Sequence, residues 1–147
     1  MLKEVTVGFL GKLFGKEKEL PQLDPSSQAA SRLNEYKASL EPFVGKIHDH
    51  MEFVPSAKTV YAYIGKPPGM FGLAWFENGQ EINFKTFTAS KGLKQKQVQS
   101  IYGKLGEAYE ASMTAARFET VIAGKKVVVI PAEDLANKID EIVHTVA

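Results

Sequence analysis

The chain of 147 residues has no cysteine. That excludes a disulfide framework, a thiolate zinc site and a cysteine nucleophile. Arginine is nearly absent, with only Arg32 and Arg117. Because base reading leans on arginine, nucleic acid is disfavoured as a partner. The net charge is only +1, so no overall field points to a polyanion or a membrane. Long apolar runs are missing too. The longest uncharged stretch near the N-terminus is Val5 to Gly11, short of a secretory signal and of the roughly 20 apolar residues of a membrane span. A cytoplasmic protein is the default expectation. No P-loop, dinucleotide fingerprint or G-x-S-x-G elbow is present, and only His48, His50 and His144 could serve as histidine bases. The expectation is a non-catalytic protein without a cofactor.

What is present is an ordinary globular composition, 44% hydrophobic and 24% charged, enough for one core. Residues 1–20 place Leu2, Val5, Phe9, Leu10, Leu13 and Phe14 at helical spacing, with Lys3, Lys12, Lys16 and Lys18 mostly off that stripe. This reads as an amphipathic segment that docks on protein or, as a lesser reading, on an anionic membrane surface. Residues 21–147 read as a single domain. Asp24-Pro25 suggests a helix start. Ala29, Leu33, Tyr36, Leu40, Phe43, Ile47 and Met51 then form a narrow seam, kinked at Pro42. The seam suits a core or a homodimer through residues 29–51.

Strands are expected at Thr59 to Ile64, Met70 to Phe76 and Gln80 to Thr88, joined by the G-K-P-P-G loop and by Asn78-Gly79, a strong hairpin signal. A two-residue turn there pairs Glu77 with Gln80, Trp75 with Ile82, Leu73 with Phe84 and Phe71 with Thr86. Phe71, Leu73, Trp75, Ile82 and Phe84 then share the core face, leaving Gly72, Ala74, Phe76, Asn83 and Lys85 toward water. Ser90 is a candidate cap for the next helix. Two more strands, Arg117 to Ala123 and Lys126 to Ile130, flank Gly124-Lys125, and Pro131 opens a last helix. The expected fold is α+β: a five-stranded, mainly antiparallel sheet, a three-strand meander plus a C-terminal hairpin, with helices on one face.

Charge is uneven along the chain. Between Ile82 and Gly106 lie five lysines, Lys85, Lys91, Lys94, Lys96 and Lys104, and no acid. Cations in the first turns of a helix oppose its dipole, and an anion would relieve them. Lys85, Lys91, Lys94 and Lys96 are therefore the candidate site for an anion or a protein partner. Set against this is a plain solvated lysine face. Tyr61, Tyr63 and Trp75 are the candidate lining of an apolar ligand pocket between sheet and helices, or ordinary core. His48 and His50, with Glu52, are the weak metal candidates, without a recognised ligand spacing; their bland reading is a polar helix end. The expected function is a small interaction or accessory domain that binds a protein partner, itself, or an anionic ligand. The alternative is a small-molecule-binding or enzymatic domain built around that pocket.

Overall fold

The computed structural model describes residues 20–67 and 69–145. The amphipathic reading of residues 1–20 falls outside them, all but Leu20, as does Pro68 of the G-K-P-P-G loop. The elements in chain order are α1 (Gln28–Glu35), α2 (Lys37–Gly45), β1 (Met51–Pro55), β2 (Val60–Gly65), β3 (Phe71–Glu77), β4 (Gln80–Asn83), α3 (Phe84–Ser90), α4 (Gln95–Ala111), β5 (Phe118–Ile122), β6 (Lys125–Val129) and α5 (Glu133–His144).

The fold is α+β, with one six-stranded sheet in the order β4-β3-β2-β1-β6-β5. All neighbours are antiparallel except β1 and β6, which run parallel, with Glu52 opposite Val128 and Phe53 opposite Val129. The sheet thus has six strands and is mixed, not five-stranded. The additional strand is β1, which begins at Met51, the last residue of the seam expected to be helical. All five of its residues are buried, because it lies in the interior of a sheet covered on both sides. Such a strand shows no alternation of buried and exposed positions, and M-E-F-V-P is apolar but for Glu52.

Helices cover both faces, which corrects the one-sided packing. On one face α3, α4 and α5 bury Val54, Tyr61, Tyr63, Leu73 and Trp75. On the other, α1 and α2 bury Met51, Phe53, Val60, Ala62, Ala74 and Phe76. Ala74 and Phe76 were expected toward water, yet neither has any exposure (0% each). Phe76 meets Phe43 of α2 edge-on at 5.0 Å. The long seam is used here: Ala29, Leu33, Leu40 and Phe43 face this sheet within the chain, and Met51 is part of it.

The seam does not form one kinked helix. It divides at Tyr36, between α1 and α2, while Pro42 lies inside α2, which ends at Gly45. The cap of α1 is Ser27, whose Oγ accepts from the Ala30 N–H at 3.2 Å, not Asp24. Asp24 closes the turn before it, accepting from the Ser26 N–H at 2.9 Å.

The Asn78-Gly79 hairpin forms with φ of 52° and 74°, and Glu77–Gln80 and Trp75–Ile82 pair as expected. The pairs Leu73–Phe84 and Phe71–Thr86 do not form. Asn83 ends β4 by capping α3, its Oδ1 accepting from the N–H groups of Lys85 (2.9 Å) and Thr86 (3.3 Å). The second hairpin turns at Ala123-Gly124, one residue earlier than expected, with Ala123 at φ 53°. No helix of the described residues is long and apolar enough to cross a membrane.

Candidate functional site

The lysine-rich stretch folds as an elbow of two helices rather than one helix starting near Ser90. Lys85 is in the first turn of α3 and Lys91 is its C-cap. Gly92 takes φ +68°, and the chain turns there. Lys94 is the N-cap of α4, and its own N–H donates to Gln97 Oε1 at 2.8 Å. Lys96 follows in the first turn. Lys91 therefore sits at a helix C-terminus, where the dipole favours it, while Lys85 opposes the dipole of α3 and Lys94 and Lys96 that of α4. Lys85, Lys91, Lys94, Lys96 and Lys104 are all exposed. None of the five makes an ion pair among the described residues. Lys91 Nζ lies 5.4 Å from the centre of the Phe87 ring.

Helix α4 is charged in the reverse of the stabilising sense. Its first turn has no acid and its last turn no base. Lysines occupy the N-terminal part, and Glu107 and Glu110 the C-terminal part. Both ends work against the macrodipole.

Tyr61, Tyr63 and Trp75 are at most 2% exposed and lie in the cluster under α3, α4 and α5. Tyr61 OH donates to Asp140 Oδ1 at 2.8 Å and Tyr63 OH to the Leu105 carbonyl at 2.9 Å. Phe87 closes on Trp75 at 5.2 Å between ring centres. Burial raises the hydroxyl pKa of both tyrosines, and Asp140 adds to the effect at Tyr61.

His48, which would share a face with Glu52 four residues on if both lay on a helix, does not do so. The chain leaves α2 at Gly45, so His48 and His50 lie in the irregular connection before β1. His50, two residues from Glu52, then meets it, Nε2 to Oε2 at 3.0 Å. Among the described residues no group of three potential ligands could hold a metal.

Glu52 is instead the centre of a buried polar cluster that the sequence reading did not assemble. It is 5% exposed. The Tyr109 hydroxyl donates to the carboxylate, at 2.9 and 2.8 Å from its two oxygens. Arg117 Nε stands 3.8 Å from Oε1, and its guanidinium lies 5.3 Å from the centre of the Tyr109 ring. Burial, and then the Glu52 carboxylate, push the Tyr109 hydroxyl up to about 12. Arg117 also donates to the carbonyls of Ser112 (2.8 Å) and Ala115 (3.1 Å). The cluster therefore ties the loop after α4 to the middle of the sheet.

That loop closes one end of a groove of about 1030 Å³ between α4 and α5. Small and apolar side chains, among them Ile101, Ala108, Ala115, Leu135 and Ile142, line it. Glu107, Glu133, Asp134 and Glu141 stand along it with Lys104 and Lys138. Two helices distant in sequence make it, and no local pattern announces it. Comparison with known protein families, with curated proteins and with solved structures finds no match for this chain.

Proposed function

We propose that this protein is an accessory domain that docks on an acidic partner protein through the α3–α4 elbow. The reading rests on one observation: Lys85, Lys91, Lys94 and Lys96 are exposed on two consecutive short spans, without an ion pair among the described residues. Stability alone would favour acids, not lysines, in the first turn of α4. A partner's carboxylates would neutralise the elbow and recover that cost. Of the two phenylalanines beside the exposed lysines, Phe84 is fully buried and Phe87 is half-buried against Trp75, with Lys91 over its ring, so neither offers an open face for a base. This favours an acidic protein over single-stranded nucleic acid.

Retention on a heparin column, a polyanion of fixed chemistry, tests the local field. With a net charge of +1 the whole molecule has little affinity for such a matrix, so retention reports the patch. The wild type is expected to bind at low salt and elute as salt screens the contact. The triple variant Lys91→Gln, Lys94→Gln, Lys96→Gln is expected to flow through. Equal retention of the two proteins would refute the reading.

A further inference from the structure

We propose, resting on the docking reading above, that the acidic partner of the lysine elbow is a second copy of this chain, the two molecules meeting by antiparallel apposition of their α4 helices about Gly103. Three residues of α4 are poor choices for the helix that carries them. Lys96, in the first turn, opposes the macrodipole, and so does Glu110, in the last. Gly103, near the middle, lowers helix propensity and gains no packing within the chain: it is exposed, and a Cβ built on it would meet nothing within 4 Å. The three stand at intervals of seven residues, so they share one face of the helix, drifting by only about 20° per step. Lys96 and Glu110 are exposed as well, and neither makes an ion pair among the described residues.

A two-fold axis through Gly103 answers all three at once. Seven residues of helix rise about 10 Å. Lys96 of each copy therefore comes level with Glu110 of the other, and the symmetry makes two equivalent ion pairs. Each lysine then lies beside the C-terminal end of the other helix and each glutamate beside its N-terminal end, where the dipole favours them. Glu107 comes level with Gln99 of the other copy, each four residues from Gly103, and a glutamine amide can donate to a carboxylate. Glycine at the axis lets the two backbones approach. Lys104, beside the axis in sequence, lines the groove toward α5. The two Lys96 charges stay about 20 Å apart along the pair, well beyond a Debye length of about 8 Å at physiological salt. Parallel helices would instead set lysine against lysine and glutamate against glutamate. An unrelated acidic protein would answer Lys96 but neither Glu110 nor Gly103. Exposed ion pairs are individually weak, so the association is reversible and sensitive to salt.

Sedimentation equilibrium of the full chain, at high protein concentration and low salt, tests this. The wild type is expected to approach twice the mass of one chain and to fall back as salt is added. Lys96→Glu and Glu110→Lys each set like charges together in both pairs, and each should weaken association about tenfold or more. Both changes suit the dipole of α4 itself, so loss of fold does not explain the loss of association. The double variant Lys96→Glu, Glu110→Lys keeps the net charge of the wild type, and it should associate again. In this cysteine-free chain, Gly103→Cys should also form a disulfide between two copies faster than Lys37→Cys, an exposed position on α2 across the sheet. A double variant no better than the single ones, or equal cross-linking at positions 103 and 37, would overturn the proposal. A monomeric wild type whose retention on heparin still depends on the elbow lysines would strike the second copy alone and leave the docking reading standing.

Discussion

Glu52 is a carboxylate at a place where a sheet interior normally holds a hydrophobe. Three residues meet its two oxygens: His50, Tyr109 and Arg117. Arg117 has a double role, since the same guanidinium also serves the Ser112 and Ala115 carbonyls. Arg117→Leu should therefore cost about 3 kcal/mol of folding stability, the scale of a buried charge that loses a partner. Urea unfolding measures this, and a loss below about 1 kcal/mol would mean that the cluster is better solvated than its burial suggests. The residues were visible in the sequence but the pairing was not. Four-residue spacing joins His48 to Glu52 on a helix, whereas two-residue spacing joins His50 to Glu52 on extended chain. The deciding fact was where α2 stops, and Gly45 was not read as that stop.

Element boundaries decide the lysine surface in the same way. The run of five lysines without an acid was legible from residue types alone. Its division into two helices at Gly92 was not, because Ser90 is a good cap residue and the β-branched and aromatic F-K-T-F-T stretch resembles a strand. Asn83 settles that competition locally by capping α3. The consequence is that Lys91 is relieved of an unfavourable dipole, whereas Lys94 and Lys96 at the start of α4, like Lys85 at the start of α3, face one. Lys96→Glu should stabilise α4 by about 0.3–1 kcal/mol, since an acid near a helix N-terminus is favoured where a lysine is not. The same change should weaken retention on heparin. Thermal unfolding and column elution of one variant read both effects. A variant that loses stability, or that elutes unchanged, would break the link between frustration in the helix and binding at its surface.

At the scale of the whole molecule, two covered faces explain why the sheet was partly misjudged. Ala74 and Phe76 look like a half-exposed face until α1 and α2 are laid over them, and β1 looks helical until it is placed between β2 and β6. Sheet hairpins announce themselves through turn chemistry; a parallel β1–β6 contact joins segments some 75 residues apart and leaves no local mark. This double covering also buries tyrosine hydroxyls on the α3–α4–α5 side. Tyr61, Tyr63 and Tyr109 are all 8% exposed or less, and all have their pKa raised, Tyr109 to about 12. In the unfolded chain they titrate near the ordinary value of about 10. Above that pH the folded protein retains protons that the unfolded chain has released, so stability must fall as pH rises. The contribution of each tyrosine is whole below about pH 10 and is lost toward its folded pKa, at about 1.4 kcal/mol per pH unit while only the unfolded form is ionised. Urea midpoints measured from pH 8 upward should hold steady with respect to these tyrosines to about pH 10 and then decline steeply. Burial raises the half-buried Tyr102 as well. Tyr109→Phe removes one of these titrations and should make that decline shallower. A decline of equal slope in the variant would mean that Tyr109 ionises alike in both states and that its carboxylate partner does not hold the proton in place.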